Sequence, residues 1–90
     1  MHRPRILVLN FRGSISLAPH LAHLIPAVIC WPGMPTDEHG HDLAALLYRG
    51  LAGGRNAAAS MDAVLITLPG SGLSRNDLPR LIGDGLITPA

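Results

Sequence analysis

Two short apolar runs constrain the fold of this chain more than any other feature. Residues 5–10 (RILVLN) and residues 27–31 (AVICW) are rich in aliphatic side chains, and Pro26 and Pro32 bound the second run. Continuous apolar runs of this length are typical of strands that are buried in a sheet. We therefore predict two strands, and we expect the first to be parallel to its neighbour and central in the sheet.

The segments between and after these runs predict three helices. In each, a residue suited to capping precedes a stretch with apolar residues at helical spacing. The predicted helices cover residues 17–24, the segment between Thr36 and Gly53, and residues 57–68, with Ser16, Thr36 and Asn56 as their N-caps. A last short strand is expected within residues 81–87.

This order of elements predicts one α/β domain over residues 1–90, because strands that alternate with helices usually form a parallel sheet. A sheet of three strands leaves two exposed edges, and an exposed edge can pair with another chain. We therefore expect either a protein partner or a homo-oligomer that is held through a sheet edge.

The composition excludes several function classes. Hydrophobic residues make up 48% of the chain, charged residues make up 14%, and the net charge is +1. The chain is thus too apolar to be disordered and too neutral for an electrostatic nucleic-acid binder. The apolar run at residues 24–32 is too short to span a membrane. With Cys30 as the single cysteine, we expect a cytoplasmic protein that binds neither nucleic acid nor membrane.

Four segments carry a more specific pattern: ILVLNFRG (6–13), IPAV (25–28), LYRGLAGGR (47–55) and LPRLIGDG (78–85). Together they resemble the C-terminal half of a CHAT domain, a caspase-like cysteine-peptidase family found in many bacterial effector and signalling proteins. The resemblance implies an α/β fold with a three-layer, mostly parallel caspase-like sheet, of which this chain would form about half. The first segment resembles the family strand that carries the nucleophile, and the last resembles its closing strand.

The chain departs from the family at the catalytic positions. Aligned on the first strand, the family cysteine falls at Arg12, and a guanidinium stays protonated and cannot act as a nucleophile. The family histidine lies on a strand upstream of the residues present here. We therefore expect a pseudoenzyme with no catalytic residues and no cofactor. The alternative is one subunit of a split cysteine peptidase, with Arg12 and Asp37 touching the substrate.

The remaining candidate residues each have two interpretations. Cys30 is either a relocated nucleophile, with His39 or His41 as its base, or a small hydrophobe packed in the core. His39 and His41 lie in a cluster with carboxylates that can bind zinc or nickel, so a small histidine-based metal-binding protein is a further alternative function. However, residues two apart on a helix do not share a face, so no metal site is the expectation. Trp31 is either a partner anchor, together with Arg12 and Asp37, or a core residue.

Overall fold

The computed structural model describes residues 5–89, and for residues 70 and 71 it describes the backbone only. The described chain is a small mixed α/β domain. Its strands are β1 (Ile6–Val8), β2 (Ala27–Cys30) and β3 (Arg80–Gly83), and its α-helices are α1 (Ala18–Leu21), α2 (Asp37–Ala52) and α3 (Ala57–Thr67). Short 3₁₀ turns at Ser14–Ser16, Leu68–Ser71 and Arg75–Asp77 connect them.

The three strands form one sheet in the order β1-β2-β3, with β2 in the middle. β1 runs parallel to β2, whereas β3 runs antiparallel to it. Every residue of β2 is buried, but the residues of β1 are only half-buried. The expectation of a parallel β1 is confirmed. Its central position is wrong, as is a parallel pairing for the last strand, because β2 occupies the centre and β3 reverses direction.

The two faces of the sheet pack against different layers. On one face, Ile29 of β2 packs with Leu43 and Leu47 of α2 and with Met61 and Val64 of α3. On the other face, the buried residues are Ala18, Ile25, Val28 and Cys30, and within residues 5–89 the short α1 and its flanking turns cover this side. The larger share of the apolar core therefore lies between the sheet and the pair α2 and α3.

The predicted caps of the two long helices are confirmed. The Thr36 hydroxyl accepts a hydrogen bond from the His39 N–H at 3.1 Å, and the Asn56 side chain accepts one from the Ala59 N–H at 2.8 Å. These bonds satisfy N–H groups that a helix leaves unpaired in its first turn. No helix within residues 5–89 is long and apolar enough to cross a membrane.

Two other boundaries differ from the sequence-based expectation. Ser16 does not cap α1, because its hydroxyl donates to the Gly13 carbonyl at 3.0 Å, and Leu17 stands at the N-cap instead. The last strand ends at Gly83, whose φ of 109° lies in a region that favours glycine. After it the Leu86 N–H donates to the Asp84 carboxylate at 2.9 Å, which turns the chain away from the sheet.

Gly50 sets how closely α2 and α3 approach. A Cβ atom added at Gly50 would lie 2.6 Å from the Ser60 Oγ and 3.0 Å from the Ser60 Cα. Contacts this short force a side chain or a helix to move, and close packing in a core resists such movement. A glycine at this position is therefore a packing requirement of the helix pair.

We predict that Gly50→Ala lowers the free energy of unfolding by about 1–3 kcal/mol, the usual cost of overpacking a core. Gly53→Ala is the matched control, since a Cβ there comes no closer than 3.4 Å to its neighbours and its φ is −79°. Urea titration followed by circular dichroism measures both. Equal free energies for Gly50→Ala and the wild type would contradict the packing argument. Adding Ser60→Gly to Gly50→Ala is expected to restore part of the loss.

Candidate functional site

The loops that follow β1 and β2 lie side by side at the carboxyl end of the parallel strand pair. The Gly13 N–H donates to the Gly33 carbonyl at 2.8 Å, and the Ile15 N–H donates to the Trp31 carbonyl at 3.0 Å. Gly13 adopts a φ of 64°, which glycine reaches without steric cost. In open α/β sheets, ligands commonly bind at this end of parallel strands.

Ser14 joins the two loops from the inside. Its side chain is fully buried, donates to the Leu9 carbonyl at 2.7 Å and accepts from the Trp31 N–H at 2.8 Å. One hydroxyl thus satisfies a carbonyl at the end of β1 and an N–H at the end of β2. Sequence reasoning missed this role, although a serine directly after a Gly turn and between two strands is the signal that indicates it.

Asn10 connects the same loops to the start of α2. Its Nδ2 donates to the Gly40 carbonyl at 3.0 Å, and its Oδ1 accepts from the Trp31 Nε1–H at 2.8 Å. A Cβ at Gly40 would lie 3.0 Å from the Asn10 amide, so glycine permits this approach. Trp31 is fully buried in the core, which favours the core interpretation over a partner contact.

A groove of about 560 Å³ opens between these loops and α2. We call it the polar groove. Its lining includes Arg12, Asp37 and His41, together with Asn10, Phe11 and Thr36. The fold therefore brings Arg12 and Asp37 to one site, as the sequence-based hypothesis required. Within the described residues the Arg12 guanidinium makes no hydrogen bond or ion pair, so it is available to a ligand.

The histidines of α2 do not converge. His39 and His41 both lie inside the helix, where residues two apart point to different sides. His39 belongs to the capping box with Thr36, whereas His41 lines the polar groove. Among residues 5–89, no group of three or more histidine, cysteine, aspartate or glutamate side chains is placed to hold a metal ion.

Cys30 lies on the face of β2 that α1 covers, opposite the face on which Ile29 packs against α2 and α3. Its side chain is fully buried among Ala18, Ile25 and Val28, and its Sγ lies 3.7 Å from the Arg80 carbonyl oxygen. Burial raises the pKa of the Cys30 thiol above its ordinary value of 9.0, and the positive charge of Arg80 offsets part of this rise. A protonated, buried thiol is a poor nucleophile, which favours the packing interpretation.

Among residues 5–89, each of the two outer strands pairs with another strand on one side only. The Arg5 carbonyl accepts from the Ala27 N–H, and the Leu9 N–H donates to the Ile29 carbonyl. Since the N–H and C=O of one trans peptide point in opposite directions, the Ile6 N–H and the Val8 carbonyl face away from β2. Beside them, an apolar groove of about 410 Å³ runs between β1 and α2, lined by Ile6, Val8, Leu47, Tyr48, Leu51 and Ala52, with Arg5 and Pro89 at its rim. We call it the edge groove.

No family model, no curated protein and no solved structure matches this chain.

We predict that Ser14→Ala lowers the free energy of unfolding by about 1–3 kcal/mol, because it leaves a buried carbonyl and a buried N–H without partners. Ser16→Ala is the matched control, since the Ser16 hydroxyl bond is exposed, and we expect a change below about 0.5 kcal/mol. Thermal or urea unfolding of the two variants tests the difference. Similar losses in both would mean that Ser14 does not join the loops.

We predict that Cys30 reacts slowly with a thiol reagent in the native protein and quickly in urea. Because folding raises the thiol pKa, the folded state holds this proton more tightly than the unfolded state. The resulting stability is present below pH 9.0 and is lost as the pH rises through the folded pKa. The free-energy difference between the wild type and Cys30→Ala should therefore fall above pH 9.0, by up to about 1.4 kcal/mol per pH unit. A difference that stays constant over this range would contradict the account.

Proposed function

We propose that this chain is a non-catalytic, CHAT-like module that forms part of a three-layer caspase-like sheet and acts by protein–protein association through its exposed sheet edges. The observation that carries the proposal is the outer edge of β1, which pairs with no further strand among the described residues. Natural proteins blunt such edges with proline, lysine or inward-pointing charge. Ile6–Val8 contains none of these, and the edge groove lies directly beside it.

The absence of a suitable nucleophile supports the non-catalytic part of the proposal. Arg12 occupies the position that the family resemblance assigns to the cysteine, and it lines the polar groove. Cys30, the single thiol in the sequence, is buried with its pKa raised. Neither side chain supplies a thiolate next to a base, which is what cysteine-peptidase chemistry requires.

We predict that the chain associates reversibly at micromolar concentration and that the β1 edge is required. The hydrogen bonds from β1 to β2 involve the backbone of Arg5 and Leu9, so Val8→Pro leaves these bonds in place. On the outer side of the strand, the proline lacks the N–H donor and its ring obstructs the addition of another strand. It should weaken association, whereas Val8→Ala retains the backbone donor and should have little effect. Size-exclusion chromatography with light scattering measures the mass, and thermal melting checks that both variants fold. A wild type that remains a monomer throughout, or equal association by both variants, would contradict the proposal for self-association.

The polar groove favours a second candidate function. A groove of about 560 Å³ with Arg12, Asp37 and His41 on its walls suits a subunit that lines the substrate cleft of a split cysteine peptidase. In that case a second chain supplies the cysteine and the histidine. An active-site thiol probe applied to the tagged chain purified from its own cells should then label a second polypeptide. No labelling contradicts this candidate, and labelling of this chain that is lost in Cys30→Ala contradicts both candidates.

A further inference from the structure

Residues on the two outer strands lie opposite the same residues of β2, so they form rows across the sheet. β1 and β3 both pair with β2, and Ile6 and Gly83 share Ala27 as their partner. In the same way Val8 and Leu81 share Ile29. Consider a second copy placed beside the first, with its sheet in the same orientation. Its β1 then runs antiparallel to β3 of the first copy, with Ile6 opposite Gly83 and Val8 opposite Leu81.

The backbone groups on the two edges are complementary in this register. The Asp84 N–H donates to the Pro26 carbonyl at 2.7 Å, so the Gly83 carbonyl of the same peptide points away from β2. Because the backbone groups of alternate residues point to opposite sides of a strand, the N–H and C=O of Leu81 also point away from β2. On β1, the corresponding outward residues are Ile6 and Val8. Ile6 opposite Gly83 and Val8 opposite Leu81 would each form a hydrogen-bonded antiparallel pair, in which both N–H···O bonds are exchanged.

The charges at the ends of the two edges are also complementary. Arg5 precedes β1 and Arg12 follows it, while Asp77 precedes β3 and Asp84 follows it, with the same separation in sequence for both pairs. Because β3 runs antiparallel to β1, Arg5 and Asp84 lie at one end of the sheet, and Arg12 and Asp77 lie at the other.

The loops confirm that Arg12 and Asp77 share one end of the sheet. The Asp77 carboxylate lies beside Gly33, at 3.2 Å from where a Cβ would stand. The Gly33 carbonyl in turn accepts from the N–H of Gly13, the residue after Arg12. Placing a copy beside the first thus sets Arg12 of one copy near Asp77 of the other, and Arg5 near Asp84.

We infer that copies of this chain associate edge to edge, with β3 of one copy adding as an antiparallel strand to β1 of the next. This inference rests on the proposed function and names its partner as a second copy of the chain. Ile6, Val8 and Leu81 all point to the sheet face that α2 and α3 cover. Leu81 of the incoming copy therefore lies beside Val8, next to the edge groove.

The same charges disfavour the symmetric alternative, in which two β1 edges pair with each other. The segment from Arg5 to Arg12 contains two arginines and no acidic residue, so two such edges would repel each other. Pairing between unlike edges leaves one β1 edge and one β3 edge unused at the ends of every open assembly. Such heterologous contacts do not close in a dimer and allow further copies to add.

A charge-swap experiment tests this pairing. Arg12→Glu places like charges opposite Asp77, and Asp77→Arg places like charges opposite Arg12, so each variant alone should associate about tenfold more weakly than the wild type. An equimolar mixture restores opposite charges at every contact and should recover wild-type association. Arg49→Glu is the matched control, because Arg49 is an exposed residue of α2 and lines neither groove.

Sedimentation velocity over a concentration series measures association, and circular dichroism confirms that each variant is folded. Arg5→Glu with Asp84→Arg repeats the test at the other end of the edge. A mixture that associates no better than its components, an equal loss in Arg49→Glu, or a wild type that stops at a dimer would overturn the edge-to-edge inference while leaving association itself intact. A wild type that stays monomeric would overturn both this inference and the proposed self-association.

Discussion

A sheet of three strands has one interior strand, and here the interior strand holds the other elements in place. All of β2 is buried, and its two sides pair with β1 and β3, while its two faces receive the α2–α3 pair and the α1 layer. Trp31, which directly follows β2, fixes the neighbouring loops: its backbone N–H donates to the Ser14 hydroxyl and its indole N–H donates to the Asn10 side chain. In the part of the chain that the structure describes, this arrangement pairs β1 and β3 on one side only, and this is the origin of the proposed association.

Local sequence signals predicted the elements that depend on local chemistry. Pro26 and Pro32 bound a fully apolar run, and that run is β2 with one residue fewer at its end. Thr36 and Asn56 cap the long helices because their side chains bond the third N–H that follows, which requires no knowledge of the tertiary fold. Arg12 and Asp37 both line the polar groove, because the loops that follow two parallel strands lie at one edge of the sheet.

What could not be predicted depends on tertiary contacts. A short apolar run carries no information on the direction of a strand, so the antiparallel β3 became known only from its pairing with β2. Trp31 can be buried because its indole N–H donates to the side-chain amide of Asn10, and these two residues are far apart in the sequence. Likewise, the close α2–α3 approach at Gly50 depends on which residue of α3 lies opposite, namely Ser60. Charge matching between the edges emerged only once the strand register was known.

Amide hydrogen exchange measured by NMR as a function of protein concentration tests the central claim most directly. At low concentration, the inward N–H of Leu9, which donates to Ile29 at 2.7 Å, should be protected, while the outward N–H groups of Ile6 and Val8 exchange quickly. As the concentration rises, protection should appear at Ile6 and Val8 and, in parallel, at Leu81 and Gly83. Protection at Ile6 and Val8 without protection at Leu81 and Gly83 would contradict pairing between unlike edges. Exchange rates that do not change with concentration would contradict association through the sheet edges altogether.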